Sequence, residues 1–287
     1  MKKLLAVLAA LLLGAVAAVS ISASAEVGGS YPVARRHYAS NANVDATGTF
    51  RPGADGFNLA DVANRAELDA LPDGVKGLAW VGMSDGVTPA FTSNVDRYLG
   101  DAKLYGFYLM DRPDPTGQWY SICTPEHLKA EADYIYDKFG WWTIAFIIVM
   151  NMSSTAEHPS YANTYTYSNS HVDLFGIDPY PCRTELSGCD YSYITKAVAA
   201  AEDSGIPQWR IVPVYQTFGG GDWTDDAGST YAMPDVSEER QILATWQSVV
   251  PTPKFDYAYS WGSQRNDVAL SHLPDLRDLF AAKNAGQ

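Results

Sequence analysis

Short apolar runs alternate with amphipathic stretches from Gly56 onward, and this alternation is the feature that most limits the possible folds. Each apolar run has the length of a strand buried on both faces, and each stretch between runs has the period of a helix. Such alternation is typical of a parallel sheet covered by helices. Seven strands are predicted, at Phe57–Leu59, Gly77–Gly82, Leu104–Met110, Thr143–Met150, Val172–Ile177, Ile211–Tyr215 and Tyr257–Trp261.

The clearest helix is predicted for "TPEHLKAEADYIYDKFG", residues 124–140. Thr124 is a favourable N-cap, and Pro125 suits the first helical position. Apolar side chains then recur with helical spacing up to Phe139, and Gly140 ends the helix. Further helices are predicted over 191–205, 237–249 and 273–280.

An eighth strand in the N-terminal segment, near Tyr31–Val33, would close the sheet into a (β/α)₈ TIM barrel. The rival architecture is an open doubly wound sheet, which usually has a glycine-rich first turn, but no G-x-G-x-x-G motif follows any predicted strand. We therefore predict an α/β fold with a single barrel domain at 54–287, preceded by a leader at 26–53 that holds the first strand.

The first 25 residues have the three parts of a secretory signal peptide. Lys2 and Lys3 are followed by an apolar stretch from Leu4 to Val19, and Ala23-Ser24-Ala25 has the small-x-small pattern of a cleavage site. The apolar stretch is shorter than the about 20 residues that span a bilayer. We therefore predict that residues 1–25 are removed, and that the mature protein is secreted and has no membrane attachment.

The cysteines are Cys123, Cys182 and Cys189. Export would place them in an oxidising compartment, where a disulfide bond persists. Cys182 and Cys189 bracket a short polar loop, which makes them the expected pair. Cys123 is then either a buried thiol or a competing partner from a neighbouring loop.

The acidic charge of the chain limits its partners. The net charge is 20 − 33 = −13, and removal of residues 1–25, with two lysines and no acids, makes it 18 − 33 = −15. Such a surface repels phosphate backbones, so we expect no nucleic-acid partner. No Cys-x-x-Cys or His-x-x-x-His spacing occurs, so we expect no zinc site. We also expect no other metal and no cofactor. We expect the protein to be a monomer.

Polar and aromatic side chains follow the predicted strands, where a barrel builds its active site. The set contains amides, carboxylates and aromatic rings, among them Asp61, Asp85 and Gln264, and no histidine. Amide and carboxylate groups hydrogen-bond to hydroxyl groups, and aromatic faces stack on sugar rings. We therefore predict a carbohydrate ligand or substrate, bound by Asn58, Arg112, Asn151, Tyr180, Gln216 and Trp261.

Asp111 and Asp178 are the predicted catalytic residues, since each directly follows an apolar run. Hydrolysis of a glycosidic bond requires one protonated and one ionised carboxyl group. Burial beside aromatic rings would raise the pKa of one of the two and create this asymmetry. The alternative is that both residues only begin turns, because each lies close to a proline.

The strand ends resemble those of the glycoside hydrolase (β/α)₈ superfamily, especially its large retaining clan. In that clan an Asn-Glu-Pro after strand four supplies the acid/base, a glutamate after strand seven is the nucleophile, and a tryptophan often follows strand eight. The resemblance implies the same fold and places Trp261 at the tryptophan position. It also places Arg112 at the acid/base position and Gln216 at the nucleophile position, so neither glutamate is present.

A closer resemblance links nearly all of the mature chain to an uncharacterised family of secreted bacterial glycosidase-like proteins. In that family the segment equivalent to Asp111-Arg112-Pro113 is Asp-Glu-Pro. The resemblance is carried by "GFNLADV", "VKGLAWVGM", "GFYLMDRPDP", "FGIDPYPCRTELSGCDYSYITKAV", "VPVYQTFGGG" and "FDYAYSWGSQ".

Arg112 leaves two functions open, because an arginine cannot release a proton near neutral pH. In the first, the protein is a glycoside hydrolase in which Asp111 works with Asp178. In the second, it is a catalytically inactive barrel that binds carbohydrate without cleaving it. A lyase is a further alternative, whereas an esterase would need a nucleophile motif such as G-x-S-x-G, which is absent.

Overall fold

The computed structural model describes residues 31–117, 121–149, 164–224 and 230–286, and these form a closed barrel of eight parallel strands. The first strand, His37–Ala39, pairs with both Leu59–Val62 and Asp256–Tyr259, which closes the barrel. β8 (Phe218–Gly219) and β10 (Val268–Ala269) form a separate antiparallel pair. The predicted α/β TIM barrel is thus confirmed, with strands β1 (His37–Ala39), β2 (Leu59–Val62), β3 (Lys76–Trp80), β4 (Leu104–Asp111), β5 (Ile144–Ile148), β6 (Leu174–Ile177), β7 (Ile211–Gln216) and β9 (Asp256–Tyr259).

Helices cover the outside of the barrel. The predicted start of the helix after β4 is confirmed, since the Thr124 hydroxyl accepts a hydrogen bond from the His127 N–H at 3.2 Å and satisfies a free donor of the first turn. The helix ends at Gly140, which has a positive φ. The helices are α1 (Arg65–Ala70), α2 (Pro89–Asp96), α3 (Pro125–Phe139), α4 (Tyr167–Ser170), α5 (Ser192–Asp203), α6 (Val236–Val249) and α7 (Pro274–Asn284).

The first strand lies in the predicted leader, at His37–Ala39 and not at Tyr31–Val33. With three residues it is too short to show a hydrophobic period in the sequence. The barrel therefore begins before residue 54. The predicted signal peptide, residues 1–25, lies outside the described residues. None of the described helices has the length and apolar character needed to cross a membrane.

The apolar core has two layers. One layer fills the barrel, and it includes Tyr38, Leu59, Phe146 and Tyr257. The other lies between the strands and the helices. Successive side chains of a strand point to opposite sides, so Asp61, two residues after Leu59 on β2, also points into the barrel.

A buried ionic cluster joins the first and last barrel strands to the final helix. Asp256 on β9 accepts from the Lys283 ammonium of α7 at 2.6 Å and lies 3.0 Å from Nδ1 of His37 on β1. Burial opposes ionisation of Asp256, but Lys283 and His37 together hold its pKa below the ordinary value. The cluster therefore connects the two strands at which the barrel closes to α7.

Candidate active site

A cavity of about 510 Å³ opens at the carboxyl ends of the barrel strands. Its size is within the range of small-molecule sites. Three carboxyl groups line it, from Asp61, Asp111 and Asp178, together with the guanidinium groups of Arg112 and Arg265. Its aromatic walls are formed by Tyr38, Trp80, Tyr108, Tyr180, Phe218, Trp223, Tyr231, Tyr257 and Tyr259.

A bulge in β4 turns Asp111 into the cavity. Tyr108 points inward and pairs with Phe146 of β5, and in a regular strand Met110 would point inward next. The register shifts between Tyr108 and Met110, so Asp111 pairs with the inward-facing Ile148. One extra residue therefore exchanges the side chain that β4 presents at its end.

The Asp111 carboxyl is held by the strand that carries it. The Tyr108 hydroxyl donates to Oδ1 of Asp111 at 3.2 Å. Desolvation raises the pKa of Asp111, and the charge of Asp178 adds to the rise, while Arg112 and the hydrogen bond from Tyr108 oppose it. Solvent in the open cavity reaches the side chain and moderates these effects.

Asp178 follows β6 and is 5% exposed. Nη2 of Arg112 donates to its Oδ2 at 2.6 Å. The charge of Asp178 raises the pKa of the Arg112 guanidinium, and desolvation lowers it. The pKa lies above its ordinary value, so the cation is permanent. Arg112 has a φ of 51°, a left-handed conformation that is uncommon for arginine. Its side chain thus joins the end of β4 to the end of β6, two strands away.

Asp61 is a third cavity carboxyl group, and it is not among the predicted site residues. The Tyr38 hydroxyl donates to its Oδ1 at 3.2 Å, and the backbone of Asn41 also hydrogen-bonds to it. Desolvation raises the pKa of Asp61 to about 6. The predicted second strand ends at Leu59, whereas β2 continues to Val62, so Asp61 lies within the strand and its side chain lines the cavity.

Two tryptophans form outer parts of the cavity wall. Trp80, at the end of β3, is 37% exposed and packs edge-on against Tyr108, with 4.8 Å between the ring centroids. Trp223 lies in the segment after β8, where its Nε1–H donates to Oδ2 of Asp267 at 3.0 Å. The Arg265 guanidinium stacks over the Trp223 ring at 4.5 Å. No strand or motif in the sequence marks Trp223 or Arg265 as site residues.

Three of the predicted sugar-binding residues, Asn58, Trp261 and Gln216, do not line the cavity. Asn58 precedes β2 at the opposite end of the barrel, where its Oδ1 accepts from the His37 N–H at 2.9 Å. Trp261 lies in the outer core layer, where it contacts Phe57 and the Arg277 guanidinium. Asn151 lies outside the described residues, whereas Tyr180 and Arg112 do line the cavity.

Gln216, the third of these residues, is fully buried and holds the loop after β6 in place. Its Oε1 accepts from the Cys182 N–H at 2.9 Å, and its Nε2 donates to the carbonyls of Cys182 and Ala232 at 2.9 and 2.8 Å. Cys182 forms the predicted disulfide bond with Cys189, and Cys123 is a buried free thiol. Gln216 therefore satisfies backbone groups and leaves no atom for a ligand.

No group of three histidine, cysteine, aspartate or glutamate side chains is arranged to hold a metal ion within the described parts of the chain. The polar groups of the cavity include the three carboxyl groups, the two guanidinium groups, the phenol hydroxyls, the amides of Asn41 and Gln264 and the hydroxyls of Ser40 and Thr224. These groups can transfer protons and hydrogen-bond to hydroxyl groups.

Comparison with solved structures identifies the type of barrel. An endo-β-1,3-glucanase of family 128 from Amycolatopsis mediterranei, in complex with laminaritriose and laminaribiose, matches with a TM-score of 0.53 and 13% identity, over 83% of this chain and 91% of that one. A family 51 α-L-arabinofuranosidase from Bifidobacterium longum matches at 0.52 and 9%, over 88% and 73%. A chitinase-like agglutinin from Robinia pseudoacacia matches at 0.51 and 11%, over 88% and 99%.

At these identities the likeness concerns the fold alone: the chain shares the (β/α)₈ barrel with these proteins. No protein-family profile and no curated protein sequence matches the chain. The closer resemblance to a family of secreted bacterial proteins therefore stays a prediction.

Proposed function

We propose that the protein hydrolyses a glycosidic bond of a poly- or oligosaccharide bound in the barrel cavity, with Asp111 and Asp178 as the catalytic carboxyl groups. The observation that carries this proposal is the unequal surroundings of the two groups. Asp178 contacts a permanent cation at 2.6 Å, whereas Asp111 contacts the neutral hydroxyl of Tyr108. Two carboxyl groups in such different surroundings can divide the roles of acid and base.

Asp111 is the acid in this proposal. Its raised pKa favours the protonated form, which can give a proton to the glycosidic oxygen as the bond to the sugar breaks. Asp178 is the ionised partner, which either attacks the anomeric carbon or takes a proton from the attacking water. Arg112 is a positioning residue, because it acts through the Asp178 carboxylate.

The cavity walls support a sugar as the ligand. Tyr180 and Tyr259 lie nearly parallel, with 6.0 Å between their centroids, and both rings line the cavity. Trp80 and Trp223 add further aromatic surface. Aromatic rings can pack on the apolar faces of sugars while carboxylate groups hydrogen-bond to the hydroxyls.

The site of action in this proposal is outside the cell. The disulfide bond between Cys182 and Cys189 supports an oxidising compartment. We expect the secreted chain to begin at Glu26, to be a monomer and to act without a cofactor. Mass spectrometry and size-exclusion chromatography of protein secreted by an expression host check these expectations.

The test is release of soluble sugars from plant, fungal and bacterial polysaccharides by the secreted protein. Asp111→Asn and Asp178→Asn should each lower release at least a hundredfold, since each removes a proton-transfer or nucleophilic group. Asp73→Asn, the same change at an exposed carboxyl group far from the cavity, is the matched control.

Arg112→Glu distinguishes the two functions left open by the sequence. In the proposed enzyme this change sets a second carboxylate against Asp178 and should lower release. Release gained by Arg112→Glu from a silent wild type would instead show that the natural protein binds sugar without cleaving it.

A further inference from the structure

Asp61 occupies the cavity wall opposite Asp178. The barrel order places β2 and β6 four strands apart in a ring of eight, so the ends of these strands face each other. Alternate strands of such a barrel contribute side chains to a common layer, and Asp61, Asp111 and Asp178 come from β2, β4 and from the end of β6. A sugar ring that fills the cavity would therefore contact Asp61 on one side and Asp178 on the other.

The surroundings of Asp61 leave its carboxyl group available to a ligand. It lines the cavity and is partly exposed, and among the described residues no cation contributes to its pKa. Its hydrogen-bond donors are the neutral hydroxyl of Tyr38 and the backbone of Asn41. A carboxylate can accept several hydrogen bonds, so these two donors leave further acceptor sites.

On balance, the surroundings of Asp61 disfavour the ionised form of its carboxyl group. Desolvation raises its pKa most, and the charge of Glu67 on α1 adds to the rise, while the hydrogen bonds from Asn41 and Tyr38 oppose it. Burial raises the pKa values of Tyr38 on β1, Tyr257 on β9 and Tyr98 after α2, and the charge of Asp61 adds to each rise. A carboxyl group kept in such a place at a cost in stability is a candidate functional group.

We propose that Asp61 is a further substrate-binding residue of this cavity, whose ionised carboxyl group accepts hydrogen bonds from sugar hydroxyls on the wall opposite Asp178. The ligand class rests on the proposed function, but the binding role of Asp61 does not depend on hydrolysis. Hydrogen bonds to a charged acceptor are about twice as strong as neutral ones. Sugar affinity should therefore rise with pH as Asp61 ionises.

The test is isothermal titration with laminaritriose, cellotriose, xylotriose and chitotriose between pH 4.5 and 8.5. For the best-bound trisaccharide, wild-type affinity should rise about tenfold or more as pH increases, with a midpoint near the pKa of Asp61 at about 6. Asp61→Asn should bind about tenfold to a hundredfold more weakly at pH 7.5 and lose this transition. Asp73→Asn should behave as the wild type.

Tyr38→Phe separates a binding role from a structural one. The Tyr38 hydroxyl favours the ionised form of Asp61, so its removal should move the midpoint to higher pH. An unchanged midpoint in Tyr38→Phe, or wild-type affinity in Asp61→Asn, would overturn the proposal.

The titration also separates this proposal from that of hydrolysis. Loss of binding in Asp61→Asn without any sugar release by the wild type would support the role of Asp61 and contradict the hydrolase. Sugar release that depends on Asp111 and Asp178 but not on Asp61 would support the hydrolase and contradict the role of Asp61. Absence of binding to all four trisaccharides, and of release, would overturn both.

Discussion

Arg112 and Asp178 form a 2.6 Å ion pair between the ends of β4 and β6. In the glycoside hydrolase clan that the sequence resembles, the position of Arg112 carries the acid/base glutamate. Here the residue at that position holds another carboxylate in place, and the adjacent Asp111 enters the cavity through the bulge. The cation is therefore compatible with hydrolysis if Asp111 supplies the proton.

Arg112→Gln should weaken both activity and stability. It leaves the Asp178 carboxylate, which is 5% exposed, without its cation. Breaking a buried pair costs roughly 3 to 5 kcal/mol, and the partial exposure of Arg112 should reduce this to about 1 to 3 kcal/mol. Urea unfolding measures the loss. Arg112→Lys keeps the charge and should lose less, and equal losses in both variants would contradict a role for the charge.

Tyr108→Phe should move the pH dependence of sugar release. The Tyr108 hydroxyl donates to Asp111 and lowers the pKa of this carboxyl group, so its removal raises that pKa further. Since Asp111 acts in its protonated form, release by the wild type should fall as pH rises through this pKa. The fall should occur at higher pH in Tyr108→Phe, and an unchanged profile would argue against Asp111 as the acid.

Gln216→Glu should destabilise the protein and restore no activity, although the sequence resemblance places Gln216 at the nucleophile position of the clan. Its Nε2 donates to two backbone carbonyls, and a carboxylate there would face two acceptors. A buried mismatch of this kind costs roughly 2 to 4 kcal/mol. Thermal unfolding checks the loss, and increased sugar release by this variant would contradict the structural role.

Asp61→Asn should stabilise the protein at neutral pH. The pKa of Asp61 is raised from 3.8 to about 6 in the folded state, so the folded state binds the proton more tightly than the unfolded one. The wild type thus loses stability as pH rises from about 4 to about 6. The variant should gain roughly 1 to 3 kcal/mol at pH 7.5 and nothing near pH 3.5. Urea unfolding at both pH values measures this difference.

Glu131→Gln should stabilise the protein in alkaline solution. Glu131 on α3 is fully buried, and its Oε1 accepts from the Gly86 N–H at 3.1 Å, while Oε2 has no hydrogen-bond partner among the described residues. Burial raises the pKa of Glu131 from 4.5 to about 8. The wild type should lose stability as pH rises through this window, and the variant should gain roughly 2 to 4 kcal/mol at pH 9. A gain that persists at pH 4 would contradict this cause.

The sequence allowed the barrel to be predicted because its strands are continuous apolar runs and its helices carry clear caps. Thr124 and Gly140 define α3 in both the sequence and the structure. The first strand, His37–Ala39, was misplaced because three residues do not establish a period. Its position depends on pairing with β2 and β9, which is a tertiary property.

The site was harder to predict than the fold, because the sequence does not show the register of each strand, and the register decides which side chain at a strand end points into the barrel. Asn58 and Asp61 differ by three residues, yet they lie at opposite ends of β2. Gln216 and Trp261 follow the expected strands but are turned into backbone contacts and the outer core. Trp223 and Arg265 enter the cavity from loops, where no periodicity indicates direction.

The bulge in β4 decides whether Met110 or Asp111 points into the cavity at the end of this strand. Loss of Leu109 would return the strand to regular pleating and leave Asp111 in the cavity, because Tyr108, Met110 and Asp111 already pair with consecutive residues of β5. Regular pleating of the strand at its present length would instead turn Met110 inward, and a thioether would replace the ionisable group without any change of sequence. For relatives of this chain, the presence of the bulge in β4 would be as informative about chemistry as residue identity.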